Sequence, residues 1–118
     1  MADAGLFIGW GEVVRGREDR ALDVFNETLA LYGQMQSDGR IEDFEVALLN
    51  PHGGELQGYV MLRGSEAQMD AVGRDEDFQR VMTKGSLVVD DLGIIPAAIN
   101  EGLARAMAIY QAEVAVVA

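Results

Sequence analysis

The sequence predicts an α+β domain with an antiparallel sheet, in the element order β-α-β-β-α-β followed by one added helix. Three observations predict it. Segments of strand character alternate with segments of helical period. The two middle strands are separated by a loop short enough to force a hairpin. The chain, at 118 residues, is the size of one domain with one core, residues 1–118.

Leu6 to Val14 is rich in β-branched and aromatic residues and reads as the first strand. Alternation places Leu6, Ile8, Trp10 and Val14 on one face, interrupted by Glu12, and Phe7, Gly9, Gly11 and Val13 on the other. From Arg17 to about Ser37 the period becomes helical, with Ala21, Phe25, Thr28, Leu29, Tyr32 and Met35 on one stripe. Glu18 and Asp19 suit the first turn, where the helix dipole favours carboxylates, and Gly39 suits the stop.

Ile41 to Asn50 and Leu56 to Arg63 are the next two strands, joined by the turn-forming run Asn50-Pro51-His52-Gly53-Gly54-Glu55. Ser65-Glu66-Ala67-Gln68 has the pattern of a capping box and starts a short helix to about Val72, broken at Gly73. Asp75 caps a second piece that carries Phe78, Val81 and Met82 and ends at Gly85. Ser86 to Ile95 is the expected fourth strand, centred on Leu87, Val88 and Val89. Pro96 suits the first turn of a last helix, whose apolar stripe is Ile99, Leu103, Ala106, Met107 and Tyr110. Two β-α-β halves joined by a hairpin form the split arrangement of ferredoxin-like folds.

Helices in such a fold cover one sheet face and leave the other bare. A face that met water would be polar, yet Phe44, Val46 and Leu48 oppose Ala47 and Leu49, and Val60 and Leu62 oppose Tyr59 and Met61. Both faces want cover. A second sheet in a two-fold homodimer supplies it; so does the C-terminal helix of a monomer folded across the open side.

Composition narrows the function classes. Hydrophobic residues make up 49% and charged residues 25%, the balance of a chain that folds. A net charge of −11 repels a phosphate backbone, so nucleic acid is not an expected partner; Arg15, Arg17 and Arg20 form the one small basic cluster. The absence of cysteine excludes thiol catalysis and thiolate metal sites, and no metal or cofactor is expected. The N-terminal residues lack the pattern of a signal peptide and no run is long enough to span a membrane, which sets the expectation of a cytoplasmic protein with no membrane partner.

The element order, the two-sided strands and the segments Phe7-Ile8-Gly9-Trp10-Gly11, Arg15-Gly16-Arg17-Glu18 and Leu49-Asn50-Pro51-His52-Gly53-Gly54 resemble the dimeric α+β barrel superfamily, in particular bacterial members of unassigned function. That superfamily includes antibiotic-biosynthesis-type monooxygenases, haem-degrading enzymes and small isomerases. The resemblance implies a fold and carries no reaction with it. The Asn, Trp and His set of the haem-degrading branch has no counterpart in Trp10 and His52, the one tryptophan and one histidine of this chain.

Candidate site residues follow from chemistry. Trp10, flanked by Gly9 and Gly11, marks either a cleft over the glycines or close packing against the strand. Glu12, a carboxylate on an apolar face, is a candidate acid or base, with Arg63 as the cation that could neutralise it and Asp90-Asp91 as a second acidic group. His52 could act as a general base if Glu55 oriented it. Tyr59 and Tyr32 could hydrogen-bond a ligand, Tyr32 also fitting a core position. The reading that unites these features is a homodimer holding a small, partly apolar ligand between sheet and helices, with Trp10, Glu12, Tyr59 and Arg63 lining the pocket. The alternative is a cofactor-independent monooxygenase or isomerase in which Glu12 or His52 moves a proton.

Overall fold

A computed structural model describes residues 1–117. Strand β1 (Ala4–Trp10) leads into helix α1 (Glu18–Ser37). The hairpin of β2 (Asp43–Leu48) and β3 (Gly58–Gly64) follows, then α2 (Glu66–Arg74), α3 (Glu76–Ser86), β4 (Gly93–Ala98) and α4 (Asn100–Val117). The strands form one sheet in the order β2-β3-β1-β4, and every neighbouring pair is antiparallel.

Local chemistry explains most of the boundaries. Ser65 caps α2 with a complete capping box: its oxygen accepts from Gln68 N–H at 3.0 Å, while the Gln68 side chain accepts from Ser65 N–H at 2.7 Å. Asp75 caps α3 through an oxygen 2.9 Å from Phe78 N. Gly73 does not break α2, which runs on to Arg74; the turn comes at Asp75, whose extended backbone ends one helix and caps the next.

Two expectations about the strands need correction. β1 stops at Trp10, because Gly11 N–H turns to Asp90 O at 2.7 Å and a Cβ at Gly11 would come within 2.9 Å of that oxygen. Leu87, Val88 and Val89 run beside Glu12 to Val14 as a single bridge, Val13 with Val89, and do not form the fourth strand. Asp91, at φ 55°, then turns the chain, and β4 begins at Gly93. Pro96 therefore lies inside β4, opposite Leu6, where the edge position tolerates its missing N–H. The last helix starts at Asn100, four residues later than Pro96 would have set it.

The core lies between the sheet and helices α1, α2 and α3. Leu6 and Ile8 of β1 and Val60 and Leu62 of β3 point to it, meeting Tyr32, Met35, Met69, Val72, Phe78, Val81 and Met82. The same register puts Gly5, Phe7, Gly9, Tyr59, Met61, Arg63, Ile95 and Ala97 on the opposite, helix-free face. Helix α4 does not cover that face: none of its side chains is buried.

Candidate functional site

Close packing leaves few voids larger than a water molecule in a protein interior, yet one end of this core is open. Between β1, α1, α3 and the Val88–Leu92 segment lies a cavity of about 450 Å³. The size falls within the range of small-molecule sites. The sequence builds it from the α1 stripe: Ala21, Phe25, Thr28, Leu29 and Tyr32 all face it, one turn after another. Ile8, Trp10 and Val60 contribute the sheet side, and Val81, Met82 and Val88 close the far wall.

Its polar content is small. Thr28 donates its hydroxyl to Val24 O at 2.7 Å and is spent within its own helix. Glu18 stands in the lining at the start of α1 and accepts from Gly16 N at 2.9 Å. Tyr32 is fully buried, its ring between Phe44 and Phe78, and its hydroxyl has only the Met82 sulfur, at 4.0 Å. Sulfur is a weak acceptor at that distance. The phenol is therefore a donor with spare capacity, packed within the apolar wall of the chamber.

Burial pushes the Tyr32 phenol up from its ordinary value of 10.0. The neutral form is thus favoured in the folded state relative to the unfolded one. Stability from this difference is present below pH 10 and declines as pH rises above it. Alkaline titration followed by circular dichroism should show a loss of stability above about pH 10 that is weaker in Tyr32→Phe. Equal alkaline sensitivity in both proteins would contradict the assignment.

Trp10 owes its place to a residue opposite it. Gly58 is its register partner, and a Cβ at Gly58 would lie 2.6 Å from Trp10 Cζ2. The indole lies over that gap and meets Phe25 edge-on at a ring separation of 6.0 Å. The glycines beside Trp10 in sequence do something else. The space over Gly9 is filled, since a Cβ there would meet Leu56 Cδ1 and Phe7 Cε1 at 2.9 Å. No cleft lies over it.

The four residues expected to share a pocket are separated. Trp10 lines the cavity. Glu12 is exposed after the end of β1 and is not part of the lining. Tyr59 and Arg63 lie on the helix-free face, at the second and sixth positions of β3 counted from its turn-side end, with Met61 between them. There Tyr59 stacks on Phe7 at 5.1 Å, and Arg63 reaches Glu45 at 3.0 Å and Asp43 at 3.3 Å, not Glu12. His52 is also outside. Its Nε2 is 2.6 Å from Leu56 O, and its Nδ1 accepts from Gly54 N at 3.2 Å, so the ring is tied into its own loop and not to Glu55. Asp90 and Asp91 are exposed at the turn before β4.

The lining residues that the sequence reading missed as a site include Val24 and Met82. Their apolar spacing is the same whether a helix face meets a packed core or a chamber, so only Tyr32, a hydroxyl on an apolar stripe, carried a signal. Among the described residues no group of three or more His, Cys, Asp or Glu side chains is placed to hold a metal ion. Among the described residues no helix is long and apolar enough to cross a membrane.

No family model matches the chain. No curated protein matches it either. Solved structures do. A dimeric protein of unknown function with a ferredoxin-like fold from Bacteroides fragilis is similar at a TM-score of 0.59 and 9% identity, over 81% of this chain and 96% of that one. A dimeric ferredoxin-like protein of unknown function from Jannaschia sp. gives 0.60 and 12%, over 82% and 98%. SnoaB, a cofactor-independent oxygenase from Streptomyces nogalater, gives 0.53 and 17%, over 84% and 95%. At these identities the likeness is one of architecture: the chain has a ferredoxin-like α+β fold.

Proposed function

We propose that the protein is a self-pairing α+β domain that holds one small, largely apolar molecule in the helix-side cavity of each copy. The observation that carries the reading is a chamber of about 450 Å³ with apolar walls and one under-used donor, the Tyr32 hydroxyl. An apolar cavity is a poor home for water and a good one for a hydrocarbon body. A ligand with a single carbonyl, ether or hydroxyl oxygen placed against Tyr32 would gain orientation as well as burial.

Self-pairing is supported by the helix-free sheet face, where Phe7, Tyr59, Met61 and Ile95 stand together, and by the dimeric state of the Bacteroides and Jannaschia proteins. Native mass spectrometry of the freshly purified protein tests both parts. A dimer with a reproducible small-molecule adduct is the expected result. The adduct should be lost in Ala21→Phe, which fills the chamber from α1. An adduct that survives Ala21→Phe would place the ligand elsewhere, and a monomer at all concentrations would remove the self-pairing.

The second reading is turnover in the same cavity, by a cofactor-independent monooxygenase or isomerase, and the likeness to the Streptomyces nogalater oxygenase favours it. Here the proton would pass through Tyr32 or Glu18, the two ionisable groups of the lining, because Glu12 and His52 open elsewhere. Conversion of the adduct by the purified protein, abolished in Tyr32→Phe or Glu18→Gln, separates turnover from binding.

A further inference from the structure

Twenty carboxylates accompany nine cationic side chains in this sequence, so acidic partners are in surplus. Arg40, Arg63, Arg80, Lys84 and Arg105 all have one. Among the described residues Arg15, Arg17, Arg20 and Arg74 do not. Three of these four lie within one stretch of six residues, Arg15 to Arg20.

The fold gathers two of the three with a further cation. Arg17 and Arg20 are three residues apart and share a side of the α1 turn they open. That side meets the end of α3, where Lys84 in the last turn reaches across to Glu27 at 2.6 Å. Between the helices lies a recess of about 290 Å³, lined by Arg17, Arg20, Lys84, Leu87 and Val88 and by no carboxylate. It is distinct from the apolar chamber, and Val88 stands in the wall of both. Arg17 is oriented there without being neutralised: its Nη1 donates to Leu87 O, a carbonyl that carries no net charge. Arg20 makes no side-chain hydrogen bond or ion pair among the described residues.

Charge sets the class of occupant. Glu27 compensates Lys84, which leaves the two guanidiniums of Arg17 and Arg20 uncompensated. A phosphate group carries a charge of about −1.5 to −2 at neutral pH and matches that pair. Its oxygens suit the planar guanidinium fork, which forms paired, charge-assisted hydrogen bonds to phosphate. A carboxylate, with one charge, would leave one guanidinium unmatched. A long polyanion is disfavoured by the net charge of −11 outside the recess. Leu87, 59% exposed, gives an organic body attached to the phosphate an apolar surface beside the cations.

We propose that Arg17, Arg20 and Lys84 form a binding site for a phosphate group, borne by a small organic molecule or free in solution. The site stands on these side chains alone and does not depend on a ligand in the chamber.

The test is calorimetric titration of the full chain at low ionic strength with inorganic phosphate and with hexyl phosphate. Saturable binding at a single site is the expected result for the wild type. Arg20→Glu loses no bond within the fold and should weaken binding at least about tenfold, with Arg20→Gln weakening it less. Arg74→Glu makes the same change in net charge on another surface and should stay within about twofold of the wild type. Equal losses in Arg20→Glu and Arg74→Glu would reduce the effect to the overall field and overturn the site. So would the absence of saturable binding of either compound up to roughly 10 mM. The two compounds separate the sources of the phosphate. Tighter binding of hexyl phosphate, with the advantage lost in Ala21→Phe, supports the site as the holder of the head of a chamber ligand. Equal affinities support it as a site for free phosphate. Phosphate binding in a protein whose native adduct survives Ala21→Phe would uphold the recess and remove the chamber reading.

Discussion

Leu62→Ala is expected to lower the unfolding free energy by about 3 kcal/mol, among the largest losses from any single truncation in the chain. Leu62 is fully buried in the middle of β3, bonded on one side to β1 and on the other to β2. Its register partners are Leu6 and Phe44, and it belongs to the cluster that includes Tyr32 and Met35. Strand neighbours held on both sides cannot close the void, so the cavity cost adds to the lost transfer energy. Urea unfolding should show a lower midpoint with an unchanged slope. Leu22→Ala, 62% exposed at the rim of the helix-side chamber, should move the midpoint by less than about 0.5 kcal/mol in equivalent free energy. Similar losses at the two positions would mean that the core is not where the structure puts it.

Gly58→Val is the substitution with the largest expected effect on the chamber. A Cβ at this position lies 2.6 Å from Trp10 Cζ2 and 2.8 Å from Ala47 O. The backbone oxygen cannot move without breaking the β2–β3 ladder, so the indole must. Valine adds further bulk and forces Trp10 off its seat against Phe25. Overpacking of this kind costs about 1–3 kcal/mol. Ligand affinity should fall at least about tenfold, and the tryptophan emission should shift, because Trp10 is the chain's single tryptophan. Unaltered emission and affinity would show that Gly58 does not seat Trp10.

What the sequence made legible was local. The α1 stripe, the capping box at Ser65 and the cap at Asp75 each depend on residues within one or two turns, and each formed at its expected place. The hairpin was legible for the same reason, since its loop length decides the pairing. β4 was not, because Pro96 suits a first helical turn as well as an edge strand, and only the partner Leu6 distinguishes the two. Leu87, Val88 and Val89 have strand character and do lie beside the end of β1, but Asp91 ends that pairing before the sheet begins again.

The site divided in the same way. Alternation alone puts Tyr59, Met61 and Arg63 on one face of β3, opposite Val60 and Leu62. Which of those faces shares a side with Trp10 depends on the β1–β3 register, and that is a long-range fact. Gly58 could not be singled out for the same reason: its meaning lies in Trp10, 48 positions away in the chain and directly across the ladder. The apolar stripe of α4 was readable, but its lack of cover is a property of the fold.

The central claim, that the helix-side chamber is a ligand site, is tested most directly through Trp10. The protein, stripped of any adduct by mild denaturation and refolding, is titrated with 1-naphthol, an apolar body with one hydroxyl, while tryptophan emission is followed. Saturable quenching at one site per chain, abolished in Ala21→Phe and weakened several-fold in Tyr32→Phe, is the predicted result. Linear quenching that is the same in the wild type and Ala21→Phe would contradict it.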